Sequence, residues 1–183
     1  MTTLGIRVSF LFLFALALAA CGGGGGSGRV SPAGGDSSEQ ESSGESNGSE
    51  CGTMVDMACE VLVAVNQERT SRGLNALTAL PACVAEAQAH ADDMVARNYF
   101  AHDSPTESTS QRFARFGLSG SYWGENIAAG YSTAAQVMAG WMSSTGHRSN
   151  ILSSNFRTMG VGIAANSQGI LHWVQCFSGK SAL

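Results

Sequence analysis

Residues 22–50 divide the chain, because nothing in them can build a core. They hold ten Gly and eight Ser, with Val30 and Ala33 as the only aliphatic side chains. Such a stretch cannot bury enough apolar surface to offset the entropy of ordering, so it is expected to be disordered. As a Gly/Ser coil it reaches on the order of 30 Å, enough to hold a domain off a surface. Gly22–Gly26 lacks a preceding strand and a following Lys-Ser/Thr, so it is not read as a phosphate loop. A folded domain must therefore lie in residues 51–183, a suitable length for one core. Most of the formal charge of -4 sits in the tether, while residues 51–183 carry eight bases against nine acids. That near-neutral balance excludes a broad electrostatic footprint for nucleic acid.

Ahead of the tether, Arg7 precedes the uncharged run Val8–Ala20, rich in Leu, Phe and Ala. The run is short of the ~20 apolar residues of a spanning helix. A basic residue, a short apolar stretch and small residues at its end describe an export signal. Leu18-Ala19-Ala20-Cys21 resembles the lipobox of bacterial lipoproteins. The resemblance implies a signal peptide over residues 1–20, cleavage before Cys21, and acyl chains such as palmitate on that cysteine. The alternative is an ordinary secretory signal followed by an incidental cysteine. Several acyl chains anchor stably where one is marginal, so the membrane is an expected partner. Gly22 is not the Asp that typically retains such lipoproteins at an inner membrane, which points to the outer membrane or cell surface. Residues 21–54 then form the lipidated cysteine and linker, and residues 55–183 the domain.

Within that domain, Met54, Met57, Ala58, Val61, Leu62 and Val65 fall at helical spacing, with Gly73 as a stop. Thr53 and Asp56 resemble a weak helix-start box. Pro81 suits the first turn of a second helix, whose apolar stripe is Val84, Ala87, Ala91, Met94 and Val95 and which fades near Asn98. Thr133–Ser143 reads as a third helix with Val137, Met138 and Trp141 on one side. Met159–Ala165 and Gly169–Phe177 read as strands joined by a turn at Asn166-Ser167-Gln168. Helices first and an antiparallel hairpin last predict a layered α+β domain.

Several stretches recur in a characteristic order: Val65-Asn66-Gln67-Glu68-Arg69, His90-Ala91-Asp92-Asp93-Met94, Tyr99-Phe100-Ala101-His102-Asp103-Ser104-Pro105 and Gly124-Glu125-Asn126-Ile127-Ala128. Downstream come Gly140-Trp141-Met142, Gly146-His147-Arg148-Ser149-Asn150-Ile151-Leu152, Met159-Gly160-Val161-Gly162 and Trp173-Val174-Gln175. In this order, over about residues 55–178, they resemble the CAP superfamily in its bacterial form. This is the SCP domain of cysteine-rich secretory proteins, antigen 5 and pathogenesis-related 1 proteins. The resemblance implies a three-layer α-β-α sandwich with a central twisted antiparallel sheet and an open cleft. It also implies that His102, Glu125 and His147 line the cleft. The further glutamate of many animal and plant members falls at Ser144, so one carboxylate is missing.

Two imidazoles and a carboxylate form a reasonable set for Zn²⁺ or another divalent cation, with His102 and His147 as ligands. If Glu125 instead activates water as a catalytic base, only two protein ligands remain. Arg148 and Asn150 either orient His147 or cap the short helix they begin. Glu125 could equally pin a loop by hydrogen bonds. His90 is read as a satisfied structural histidine, and Trp123 and Trp141 as core or cleft wall. Three functions stay open. The first is a binding module for a lipid, peptide or envelope component; family members have been tied to sterol and lipid binding. The second is a metal-dependent, peptidase-like hydrolase using His102, His147 and Glu125, which Ser144 weighs against. The third is a structural envelope protein with a vestigial cleft. No Ser or Cys sits in a nucleophile motif such as Gly-x-Ser-x-Gly.

With Cys21 assigned to lipid, Cys51, Cys59, Cys83 and Cys176 form an even set in an exported chain, where disulfides persist. Their three possible connectivities are not separated by sequence. The closeness of Cys51 to Cys59 favours that pair, leaving Cys83 on the second helix for Cys176 in the last strand. The lipid anchor predicts that Cys21→Ser abolishes both acylation and signal cleavage. Mass spectrometry of the mature amino terminus decides it: an unacylated terminus at another residue contradicts the anchor.

Overall fold

A computed structural model describes residues 51–182. Helix α1 spans Asp56–Thr70 and buries Ala58, Val61, Leu62 and Val65, as the spacing predicted. Its start differs from expectation: Val55 is the N-cap and no side chain caps it, so Thr53 and Asp56 form no box. A two-residue strand β1 (Thr78–Ala79) leads into α2 (Pro81–Ala96), which opens on Pro81 and ends before Asn98, whose φ is 53°. Helix α3 (Thr109–Arg115) was not anticipated. It is set by a capping box in which Ser108 and Gln111 satisfy each other's backbone N–H groups. Strand β2 (Trp123–Ala129), α4 (Ala134–Ser143), α5 (Thr145–Ile151), β3 (Thr158–Ala165) and β4 (Leu171–Ser178) complete the chain order.

The strands form one sheet in the order β1-β3-β4-β2. β4 runs antiparallel to both β3 and β2, whereas β1 pairs parallel to β3. The sheet is therefore mixed rather than wholly antiparallel. The long excursion from β1 through the helices back to β3 supplies the crossover that a parallel pair requires. Alternation along the strands feeds two cores. Trp173 and Phe177 join Val61, Leu62, Val137, Trp141 and Ile151 on the face covered by α1, α4 and α5. Val174, Cys176 and Ile127 join Ala87, Ala91, Met94 and Phe113 on the face covered by α2 and α3. This is the expected three-layer α-β-α arrangement.

Side chains from the sequence motifs hold the layers together. Arg69, only 1% exposed, donates to Asn75 O, Ile151 O and Ser153 O, tying the end of α1 to the end of α5. Asn66 pairs in both directions with the backbone of Leu77. Two disulfides, Cys51–Cys59 and Cys83–Cys176, match the favoured pairing, and the second joins α2 to β4 across 93 residues. In the chain-entropy account a loop of that length is worth about 4–5 kcal/mol.

Gly160 and Gly162 explain the Met159-Gly160-Val161-Gly162 motif. A Cβ at Gly160 would collide with the backbone of Cys83 and Val84, and one at Gly162 with that of Ala87 and Gln88. Helix α2 rests directly on the strand there. Gly160→Ala is expected to cost on the order of 3 kcal/mol by overpacking. Gly146→Ala, with open space around it, should be neutral or stabilise by up to about 1 kcal/mol. Urea midpoints of the two variants check this contrast.

Candidate functional site

The candidate cleft is built around Glu125, on β2 rather than on a loop. Alternation turns Glu125 and Ile127 toward α2 and α3, leaving Asn126 and Ala128 on the opposite face. Glu125 is 6% exposed, and both its carboxylate oxygens are engaged. Oε1 lies 2.7 Å from His102 Nδ1, and Oε2 accepts from Arg112 Nη2 at 2.5 Å. Arg112, from the first turns of α3, is 2% exposed and spends its other nitrogens on Glu86 Oε1 and the His102 carbonyl. Glu86, from the buried side of α2, is fully buried, and its Oε2 has no hydrogen-bond partner among the described residues. His90 is also fully buried, with Nε2 against Ala101 O at 3.0 Å and 3.9 Å from Glu125 Oε1. It is the structural histidine that was expected, placed behind the cleft.

Electrostatics follow from this packing. Burial, then repulsion from Glu125, pushes the Glu86 carboxyl up to about 7, with Arg112 offsetting only part of the shift. Burial alone would lower the Arg112 pKa, but attraction to Glu125 and Glu86 outweighs it and keeps the guanidinium charged. The hydrogen bond to Glu125 raises the His102 pKa. Burial, helped by repulsion from His102, lowers that of His147. Burial likewise favours neutral His90.

The loop carrying His102 is fixed at both ends. Ser104 Oγ and Tyr99 OH donate to Asp93 on α2, while Asp103 accepts from the Thr109 N–H and hydroxyl at the start of α3. His147 lies on α5, and Asn126 Nδ2 donates to its carbonyl while also reaching Gln175 Oε1. Asn150 neither caps a helix nor contacts the His147 ring. It donates to Glu125 O and Asn126 Oδ1, stitching α5 to β2. Among the described residues Arg148 reaches only Met142 O, at 3.4 Å.

Glu125 and His102 thus meet directly, and His147 lies within electrostatic reach of His102. Among the described residues, no three His, Cys, Asp or Glu side chains are grouped to hold a metal ion. With both Glu125 oxygens bound, the donor set does not fit a resident Zn²⁺ on His102 and His147. Ser144 sits between α4 and α5, and its side chain caps neither helix. Glu86 is a second carboxylate near the cluster, but it reaches Glu125 only through Arg112.

An open cleft of about 470 Å³ lies in front of this network, lined by His102, Asp103, Ser108, Ser110, Trp123 and Glu125 among others. A larger hollow of about 580 Å³ between α1 and α4 has no comparable convergence of titratable groups. Sequence reasoning missed Glu86 and Arg112. The buried side of α2 runs through Cys83, Glu86, Ala87, His90, Ala91 and Met94 rather than through Val84 and Val95. The available signals were therefore the spacing of Glu86 from Cys83 and His90 and the Ser-x-x-Gln box just before Arg112.

Comparison with known proteins agrees with this architecture. A family model described as the cysteine-rich secretory protein family, CAP, matches residues 62–177. The chain belongs to the CAP family. YkwD, an uncharacterised protein of Bacillus subtilis, is 40% identical over 122 residues, covering 66% of this chain and 46% of YkwD. An uncharacterised membrane protein of the same organism, YlbC, is 32% identical over 57% of this chain and 30% of its own. The chain therefore spans less than half the length of these two relatives. The SCP-domain structure of an extracellular Bacillus anthracis protein aligns with TM-score 0.62 and 32% identity, covering 67% of this chain and 40% of that one. An outer surface protein of Borrelia burgdorferi, 18% identical, shares the fold with TM-score 0.60 over 64% of this chain and 88% of its own.

Glu86 gives this CAP domain a pH signature. Its folded pKa of about 7 lies above the ordinary 4.5, so the folded state holds the proton more tightly than the unfolded one. Stability from this group is complete below about 4.5, falls as pH rises toward about 7, and is level above that. Glu86→Gln mimics the protonated form, so its stability relative to wild type should grow by on the order of 3 kcal/mol across the window. Denaturation curves at pH 5 and pH 8 test this, and parallel pH dependence in both proteins would contradict it.

Proposed function

We propose that this chain is an exported CAP-domain protein, held at the cell envelope by lipid on Cys21, whose cleft binds an envelope component without cleaving it. The observation that carries the binding reading is the double engagement of Glu125. A general base needs an oxygen free to take a proton from water, and here one oxygen meets His102 and the other Arg112. Ser144 supplies no replacement carboxylate, and Glu86 is sealed in the interior. The same network argues against a vestigial cleft, because His102, Asp103 and Glu125 line it and buried Arg112 holds Glu125 and the His102 carbonyl from behind. Similarity to an extracellular SCP-domain protein and to an outer surface protein supports an envelope or surface location. Among the described residues no helix is long and apolar enough to cross a membrane; the anchor proposed here is the lipid on Cys21, supported by the Leu18-Ala19-Ala20-Cys21 motif.

The test uses the chain from residue 22 onward, with purified envelope fragments on one side and denatured casein plus Zn²⁺ on the other. The protein should sediment with the fragments, and Ser110→Trp, which fills the cleft, should release it. Casein should stay intact. Metal-dependent cleavage that disappears in Glu125→Gln would instead establish a hydrolase.

A further inference from the structure

The cleft lining carries an aromatic face that the network behind it does not use. Trp123 packs one side of its indole on Phe113, with ring centroids 4.7 Å apart, and is still 41% exposed. It lines the same cleft as His102, Asp103, Ser110 and Glu125. Building on the binding reading above, we propose that this cleft takes a neutral glycan, with a pyranose ring laid on the free face of Trp123 and its hydroxyls bonded to Asp103, Ser110 and His102.

The chemistry of the lining selects this class. A sugar ring offers an apolar C–H face for the indole and a rim of hydroxyls that both donate and accept. Suitable groups are available. Asp103 uses Oδ1 for Thr109, and among the described residues its Oδ2 has no partner. His102 turns Nδ1 to Glu125, leaving Nε2 for the ligand, and the Ser110 hydroxyl meets only that of Ser108.

Other ligand classes fit less well. Among the described residues no Lys or Arg lines the cleft, and the nearby Arg112 is spent on Glu86, Glu125 and His102 O. A phosphate or carboxylate ligand would therefore meet the Asp103 carboxylate with the His102 imidazole, already paired to Glu125, as its one cationic partner. No aliphatic side chain lines it, so an acyl chain would find only the indole. Edge strand β2 is closed to an added peptide strand: Asn150 Nδ2 donates to the outward Glu125 carbonyl, and Trp141 Nε1 to that of Ile127.

The protein carries its own probe. It has three tryptophans, and Trp141 and Trp173 are 1% and 0% exposed, so a surface ligand can perturb only Trp123. The chain from residue 22 onward is titrated with tetra-N-acetylchitotetraose and with cellotetraose, alongside tetra-alanine and phosphatidylglycerol vesicles. A saturable change in Trp fluorescence with at least one oligosaccharide is expected, and with neither the peptide nor the vesicles. By calorimetry, Trp123→Ala should bind at least about tenfold more weakly, while Trp123→Phe, which keeps an aromatic face on Phe113, should retain most of the affinity. No saturable change with either sugar, equal binding by Trp123→Ala, or a Trp123-dependent response to peptide or vesicles alone would overturn the glycan assignment. If the sugar tests fail in one of these ways while envelope sedimentation persists and is still lost in Ser110→Trp, the glycan assignment fails and the binding reading stands. If sedimentation is absent as well, both fail.

Discussion

Arg112 is the interaction on which the cleft depends. Its guanidinium sits in the interior between Glu86 and Glu125, with a third contact to the His102 carbonyl. One cation thereby joins α2, α3, β2 and the loop bearing the cleft histidine. A buried ion pair is weak evidence for net stability, but removing one partner leaves an uncompensated charge that costs about 3–5 kcal/mol. Two buried carboxylates share this one cation, and the strain of that arrangement falls on Glu86, which holds its proton to near neutrality. Glu125 remains paired and is offered to His102.

How much of this was legible in the sequence varies with the length of each signal. Pro81 marked the start of α2, Asn166-Ser167-Gln168 marked the hairpin, and the apolar stripe of α1 matched its buried face. Those are repeated patterns, so several residues vote for one element. Helix α3 has only seven residues, too few for periodicity, and its capping box was the only local sign. β1 has two residues and exists through its pairing with β3, a contact 80 positions away. The α1 start was misread because a Thr and an Asp three apart look like a box whether or not the backbone turns there.

The candidate site divides in the same way. His102, Glu125 and His147 were singled out through their motifs, and the fold puts the first two in contact. Glu86 and Arg112 were not, because a charged residue beside apolar ones reads as solvated until its partner is known. Glu86 lies 26 positions from Arg112 and 39 from Glu125. Several motif residues proved architectural. Asn66, Arg69, Asn126 and Asn150 each donate to backbone carbonyls elsewhere in the chain, and Asn126 and Asn150 also bond other side chains, which positions the cleft without lining it. A strongly patterned sequence can therefore mark a scaffold as clearly as a reactive group.

The central claim is that Glu125 is committed to His102 and Arg112, which makes the cleft a place for binding. The most direct measurement is the titration of the His102 ring by NMR in wild type and in Glu125→Gln. The account predicts a His102 pKa above the ordinary value of about 6.5, because the carboxylate accepts from Nδ1–H and stabilises the imidazolium. It predicts a fall to or below that value when the carboxylate is replaced by an amide. A wild-type pKa at or below the ordinary value that does not move in Glu125→Gln would mean the pair is not formed in solution, and would return Glu125 to the role of a free base.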